Sequence, residues 1–447
     1  MTLNDNATTR LSIAVLGTCD TKLQELLYLR SQILSHAEDA SVVLIDVGRS
    51  PISDPAITIP QDELLQKYGS STPAHLSTLP RSQVTQTMTD CATACLEDLH
   101  SKGSIHGVIS AGGSSGTSLT SAAMRRALPF LFPKLIVSTM ASGDTAPFVG
   151  ESDITLMYSI VDIAGSNSIL NGVLDNAAGG IVGMARAYQK RQIPSPHQTE
   201  DSTINHPKKP KTKLGITMFG VTTPAVDRIR EHLTTHHPSA EIYIFHATGH
   251  GGRAMERLIA THHLTAIIDL TTSEITDHIV GGVLTAGPHR LEAGLAAGIP
   301  YILSVGACDM VNFGPRHTVP ERFTNNNNNS ERKIHAHNEA VTLVRANVEE
   351  SRRIGEFIAQ KVRGYCTRPE MVEIVLPVAG MSPLSVRGGV FEDREADEGL
   401  FEGIERGVEG TGVRVVRVER EVNDAGFAVG LAERVMRLVD KRREEGG

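Results

Sequence analysis

Short apolar runs recur along this chain, and most of them end in a polar, glycine-bearing turn that opens a helical stripe. Leu11 to Leu16 is the first such run. It meets Gly17-Thr18-Cys19-Asp20-Thr21-Lys22, after which Leu23, Leu26, Leu27, Ile33 and Leu34 fall at helical spacing. Ser41 to Val47 predicts a second strand, and Gly48 to Pro80, rich in Pro, Ser and Asp, a long excursion. A helix is predicted from Arg81 to Lys102. Val108 to Ala111 reads as a third strand that runs into Gly112-Gly113-Ser114-Ser115-Gly116-Thr117 and a helix to Ala127. Lys134 to Ser138 is a fourth strand, followed by the turn Met140 to Thr145 and a helix from Asn167 to Gln189.

Lys190 to Lys213 is polar, proline-containing and without periodicity, hence a predicted linker. The alternation then restarts, with strands at Leu214 to Phe219, Glu241 to Phe245, Ala266 to Leu270, Tyr301 to Val305, Val372 to Leu376 and Val413 to Val418. Gly306 to Pro315 reads as a long loop, Asn325 to Asn329 as a low-complexity insertion, and Lys333 to Arg363 as one long helix. Strands alternating with helices predict an α/β chain of two tandem Rossmann-like domains with mostly parallel, doubly wound sheets. The expected domains are residues 1–190 and 214–443, with residues 191–213 as the linker. Ligands of such sheets bind at the carboxyl ends of the strands, so the turns after Leu16, Ala111 and Ser138 are expected on one edge.

Composition narrows the function classes. At 447 residues and 40% hydrophobic content the chain suits two or three domains with real cores. A formal net charge of −8 disfavours nucleic acid or an anionic membrane as the main partner. The basic stretch Lys208 to Lys213 is read as a solvated linker face. No run approaches the length of a membrane span, and the start of the chain has no apolar leader. Five scattered cysteines do not form a disulfide framework, and Cys91 and Cys95, four apart, are expected to be small buried residues. A soluble, cytoplasmic homo-oligomer is the expectation.

The candidate chemistry gathers at the glycine turns. A strand that ends in glycines and feeds a helix aims backbone N–H groups at one point, which favours phosphate. Gly112 to Thr117 is neither G-x-G-x-x-G nor a Walker-type loop, and by pattern alone a phosphate nest and a structural turn stand level. Asp20 with Thr21 suits a divalent cation, and Lys22 and Arg81 suit phosphate oxygens; a helix cap and solvated basic residues are the plainer alternatives. His246, His250 and Arg253, in a second glycine turn, suit a carboxylate or phosphate or merely join strand to helix. His335 and Glu339 would share a helical face, a weak metal signal, and Asp309 and Asn312 are candidates only by their place after a strand. No hydrolase triad is visible.

Seven ordered motifs then carry a resemblance that covers nearly the whole chain. G-T-C-D-T-K, G-G-S-S-G-T-S-L and V-S-T-M-A-S-G mark the first half. G-I-T-M-F-G-V-T-T-P, F-H-A-T-G-H-G-G-R-A-M-E, S-V-G-A-C-D-M-V-N-F-G-P and R-K-I-H-A-H-N-E mark the second. The chain resembles the ATP-binding region of the tomato mosaic virus resistance protein family, with its bacterial and fungal members. The resemblance implies ATP, with Mg²⁺, held by Asp20, Thr21, Lys22, Arg81, Ser114, Ser115, Gly116 and Thr117. Ser115 stands where the family has glycine, and Arg49 replaces a small hydroxyl residue and is left outside the site. In the plant members this region binds a viral replication protein. Two outputs follow: an ATP-dependent enzyme acting on a small acidic metabolite in an interdomain cleft, or an ATP-regulated protein-binding module. A dinucleotide oxidoreductase is the third and weakest.

Overall fold

A computed structural model describes residues 10–69, 76, 79–192, 211–324 and 332–445. The chain divides into two compact units, Met1–His206 and Pro207–Gly447.

The first unit is built on five parallel strands: β1 (Ser12–Gly17), β2 (Ser41–Asp46), β3 (Gly107–Gly112), β4 (Lys134–Ser138) and β5 (Thr155–Tyr158). Their spatial order is β2-β1-β3-β4-β5. Its helices are α1 (Cys19–His36), α2 (Gln61–Tyr68), α3 (Arg81–Ser101), α4 (Ser114–Ala127), the single turn α5 (Ala146–Val149) and α6 (Ser168–Gln192). Strand side chains alternate between faces, and each face has its own core. Ile13, Val15, Ile109 and Val137 pack under α1 and α6, with Leu26, Leu29, Leu174 and Ile181. Ala14, Leu16, Val108 and Ile136 pack under α3 and α4, with Met88, Cys95, Leu119 and Met124. Burial on both faces is why β1, β3 and β4 read as continuous apolar runs. Cys91 and Cys95 are buried as expected, and all five cysteines are free.

The second unit repeats the architecture with six parallel strands and adds a small antiparallel sheet. Its strands are β6 (Lys213–Met218), β7 (Glu241–His246), β8 (Ala266–Thr271), β9 (Tyr301–Gly306), β10 (Met310–Phe313), β11 (Ile334–Asn338), β12 (Val341–Arg345), β13 (Val372–Pro377) and β14 (Arg414–Val418). The parallel sheet runs β14-β13-β9-β8-β6-β7, and β10-β12-β11 form the antiparallel one. Its helices are α7 (Thr223–His236), α8 (His250–Ala260), α9 (Ser273–Val280), α10 (Glu292–Ala296), α11 (Glu321–Thr324), α12 (Val348–Tyr365), α13 (Arg394–Val408) and α14 (Ala425–Glu445).

Three sequence expectations are corrected. The chain from Lys333 to Arg363 is not one helix: β11 and β12 form a hairpin, and α12 starts only at Val348. Asn347 stops the helix from extending further back, since its side chain accepts from the Glu350 N–H while Glu350 accepts from the Asn347 N–H. His335 and Glu339 therefore share no helical face. The loop expected from Gly306 contains β10, and β5 was not anticipated at all. Most of the predicted linker, and the asparagine run, lie outside the described residues.

Asp277 in α9 is buried, with Oδ1 accepting from the Asn312 N–H and Oδ2 from the Leu284 N–H. Burial pushes its carboxyl up to about 7. An unfolded aspartate titrates near 4, so the folded form holds the proton more tightly between those values. The contribution of Asp277 to stability is therefore fully present below about pH 4 and is lost as pH rises toward 7. An Asp277→Asn variant is expected to flatten that pH dependence, read as urea midpoints at pH 5 and 8; an undiminished slope would discount Asp277.

Candidate functional site

The strand order of the first sheet reverses between β1 and β3, the place where doubly wound sheets hold ligands. A cavity of about 440 Å³ opens there, lined by the turns that follow both strands. Gly113 caps α4 in an extended conformation, and the Thr117 N–H closes the first helical bond onto its carbonyl. The N–H groups of Ser114, Ser115 and Gly116 are left outside the helical ladder, at the positive end of the helix.

The turn after β1 supplies the facing wall. The N–H groups of Thr21 and Lys22 donate to the Thr18 carbonyl, and the hydroxyls of Thr18 and Thr21 lie 2.9 Å apart. Lys22 departs from helical geometry at φ −133°, ψ 20°, a kink in the first turns of α1. Asp20 Oδ2 accepts from the N–H groups of Arg49 at 2.9 Å and Ser50 at 3.1 Å, so its carboxylate anchors the segment after β2. Asp46 Oδ1 accepts from the N–H groups of Cys19 and Gly48. Gly48 has to be glycine: a Cβ there would lie 2.6 Å from Asp20 Oδ1 and 2.9 Å from Asp46 Oδ1. Burial raises the Asp46 carboxyl, and the charge of Asp20 adds to the effect. Asp20 Oδ1 and Asp46 Oδ2 are buried without a hydrogen-bond partner among the described residues.

Arg81 opens α3 and donates from its guanidinium to Ser115 Oγ at 3.0 Å, which brings a cation to the edge of the nest. Seven of the eight expected residues thus line one cavity: Asp20, Thr21, Lys22, Arg81, Ser114, Ser115 and Gly116. Thr117 does not. Its side chain is fully buried beneath the turn, 2.6 Å from Ser138 Oγ and 3.2 Å from the Gly112 carbonyl, tying the nest to the end of β4. Arg49, set aside on sequence grounds, lines the cavity and donates to the Leu79 carbonyl at 3.1 Å. The described lining therefore carries three cations, Lys22, Arg49 and Arg81, against the single carboxylate of Asp20.

The second glycine turn is arranged differently. The N–H groups of Gly249 and Gly252, at the start of α8, both donate to Glu274 Oε1, at 2.6 and 3.0 Å. An internal carboxylate already fills this turn. Glu274 Oε2 in turn accepts from Arg290 Nε at 2.9 Å, while the rest of that guanidinium meets Asp269 at 2.6 and 2.7 Å and Glu256 at 3.2 Å. Tyr301 and Thr217 hydroxyls complete Asp269. His246 and His250 stay exposed, and Arg253 donates to His250 Nδ1 and to the Thr285 carbonyl. Asp309 and Asn312, candidates only by their place after a strand, are buried; Asp309 accepts from Ser382 Oγ, and Asn312 donates to Asp277. Among the described residues no group of three or more His, Cys, Asp or Glu is placed to hold a metal ion, and no helix is long and apolar enough to cross a membrane.

Comparison with known proteins places the chain. Residues 11–190 match the N-terminal domain, and residues 211–439 the C-terminal domain, of "Uncharacterised protein family (UPF0261)". A UPF0261 protein of Clostridium tetani is 38% identical over 429 residues, 96% of this chain and 99% of the relative. The ToMV resistance protein Tm-1(GCR237) of Solanum lycopersicum is 36% identical over 443 residues, 96% of this chain but 56% of the tomato protein. Among solved structures, a UDP-GlcNAc 2-epimerase from Neisseria meningitidis bound to UDP-GlcNAc aligns over 65% of this chain and 82% of its own. That alignment has 12% identity and a TM-score of 0.20, too slight a likeness to bear on function. With both halves matched in order and a bacterial relative similar along almost its whole length, the chain belongs to the UPF0261 family.

Proposed function

We propose that the first unit binds a nucleoside triphosphate, ATP with Mg²⁺, with its phosphates on the amino end of α4. One observation carries this reading: the N–H groups of Ser114, Ser115 and Gly116 face a cationic cavity at the strand-order reversal, and no carboxylate of the described residues accepts from them. Lys22 and Arg81 suit the phosphate oxygens, and Val47, Val84 and Leu119 give the same cavity apolar surface for a base or ribose. Mg²⁺ bound through phosphates asks for only one or two protein carboxylates. Asp20, whose Oδ1 lacks a partner, fits that need, with the Thr21 hydroxyl beside it. The ion would neutralise phosphate charge.

The placement of the second glycine turn favours a regulatory ligand over a substrate. Glu274 occupies the Gly249 and Gly252 N–H groups of that turn, and Asp309 and Asn312 are buried. The reading is therefore ATP as a ligand that governs binding of a protein partner, in keeping with the name of the tomato relative as a resistance protein. Calorimetric titration with ATP, ADP and NAD, with and without Mg²⁺, tests it. Saturable binding of one ATP, strengthened by Mg²⁺ and without turnover, is the expected result. A preference for NAD over ATP would overturn the assignment.

A further inference from the structure

The second unit holds a cavity of about 430 Å³ that the nucleotide reading leaves unused. It lies at the amino edge of the six-stranded sheet, beside the starts of β6, β8 and β9, on the opposite edge from Glu274. Leu264, Ile299 and Val439, all buried, give it an apolar wall. Lys211, just before β6, and Arg442 and Arg443, in the last turn of α14, also line it, and among the described residues no carboxylate does. Arg443 is held in place by Thr212 Oγ1 at 2.9 Å and Asp440 at 3.2 Å. Lys211 and Arg442 make no hydrogen bond or ion pair with the described residues.

A helix dipole favours cations at its carboxyl end, which accounts for the two arginines. It does not account for Lys211, which approaches from another element, nor for the absence of an acid among the described lining residues. His262 adds a second anomaly. It lies just past the Thr261 cap of α8 at φ +56°, in the left-handed region where glycine is the usual residue, and it lines this cavity. Three cations beside an apolar wall match a ligand with a charged head and a hydrocarbon body.

We infer that this cavity binds a small amphipathic anion, an alkyl chain ending in a phosphate or carboxylate. The head meets Lys211, Arg442 and Arg443, and the chain lies on Leu264, Ile299 and Val439. Titration of octyl phosphate into the full chain at low ionic strength tests this, with octanoate, inorganic phosphate and octanol as separate arms. One saturable site for octyl phosphate or octanoate is expected, with inorganic phosphate and octanol each at least about tenfold weaker. The double variant Lys211→Glu, Arg442→Glu should bind at least about tenfold more weakly at an unchanged melting temperature. A Gly116→Glu variant should bind as wild type does, because Gly116 belongs to the first unit and the cavity is lined by residues of the second. No saturable binding of either amphiphile, equal binding by the double variant, or loss in Gly116→Glu would overturn the inference.

Discussion

A Gly116→Glu variant is expected to lose at least about 100-fold in ATP affinity while melting at or slightly above the wild-type temperature. The two halves of that expectation have separate origins. A carboxylate at the third position of α4 would sit where the phosphates are held, and opposing two anions costs several kcal/mol; 100-fold is about 2.7 kcal/mol. The fold should not object. A Cβ at position 116 meets nothing within 4 Å. The third helical position also welcomes glutamate near the helix dipole, and replacing a helical glycine contributes roughly 0.5–1 kcal/mol. Gly116→Ala is the matched control and should bind within a few-fold of wild type. Calorimetry and thermal melting together read both quantities, and wild-type affinity in the glutamate variant would remove the nest from the site.

In the second unit, Arg290→Met should cost about 3–5 kcal/mol of folding stability, the range for breaking a buried ion pair from one side. Methionine fills much of the volume, so the loss reports charge and not a cavity. Arg290 and its partners Asp269 and Glu274 are at most 1% exposed, and Glu256 completes the set. Burial already raises the Glu256 carboxyl with the arginine present. Without the guanidinium, which lowers it, the Glu256 carboxyl would be held still further above its unfolded value near 4. A raised folded value favours folding below the unfolded one and is lost as pH climbs through the folded one. The variant should therefore be closer to wild type at pH 5 than at pH 8. Urea unfolding followed by circular dichroism measures the difference; a loss below about 1 kcal/mol, or a pH-independent one, would contradict the charge account.

Much of this was legible before any coordinates. The central strands β1, β3 and β4 are buried on both faces, so each announced itself as an unbroken apolar run ended by a glycine turn. What escaped has physical reasons. β5 is a four-residue edge strand, half-exposed, with no such turn to mark it. The hairpin of β11 and β12 was hidden because Ile334, His335 and Glu339 imitate helical spacing and run toward a true helix whose start is marked only by the Asn347–Glu350 box. In the site, local order pointed to the residues that line it, since Asp20 to Lys22 and Ser114 to Gly116 each sit in one turn. Burial of Thr117 under Ser138 depends on a residue 21 positions away, and the Arg290 cluster joins partners 16, 21 and 34 positions apart. No window of sequence displays such pairings.

The carboxylate of Glu274 in the second glycine turn has a thermodynamic consequence. An anion tethered by the chain is present at a fixed effective concentration, so the second glycine turn keeps its counter-charge whatever ligand the solution holds. The first unit, on the proposed reading, draws its anion from solution, and binding to the folded form alone stabilises by RT ln(1 + [L]/Kd). Two halves of similar architecture would then answer differently to a cell's energy state: one carries its counter-charge as sequence, and the other borrows it by mass action.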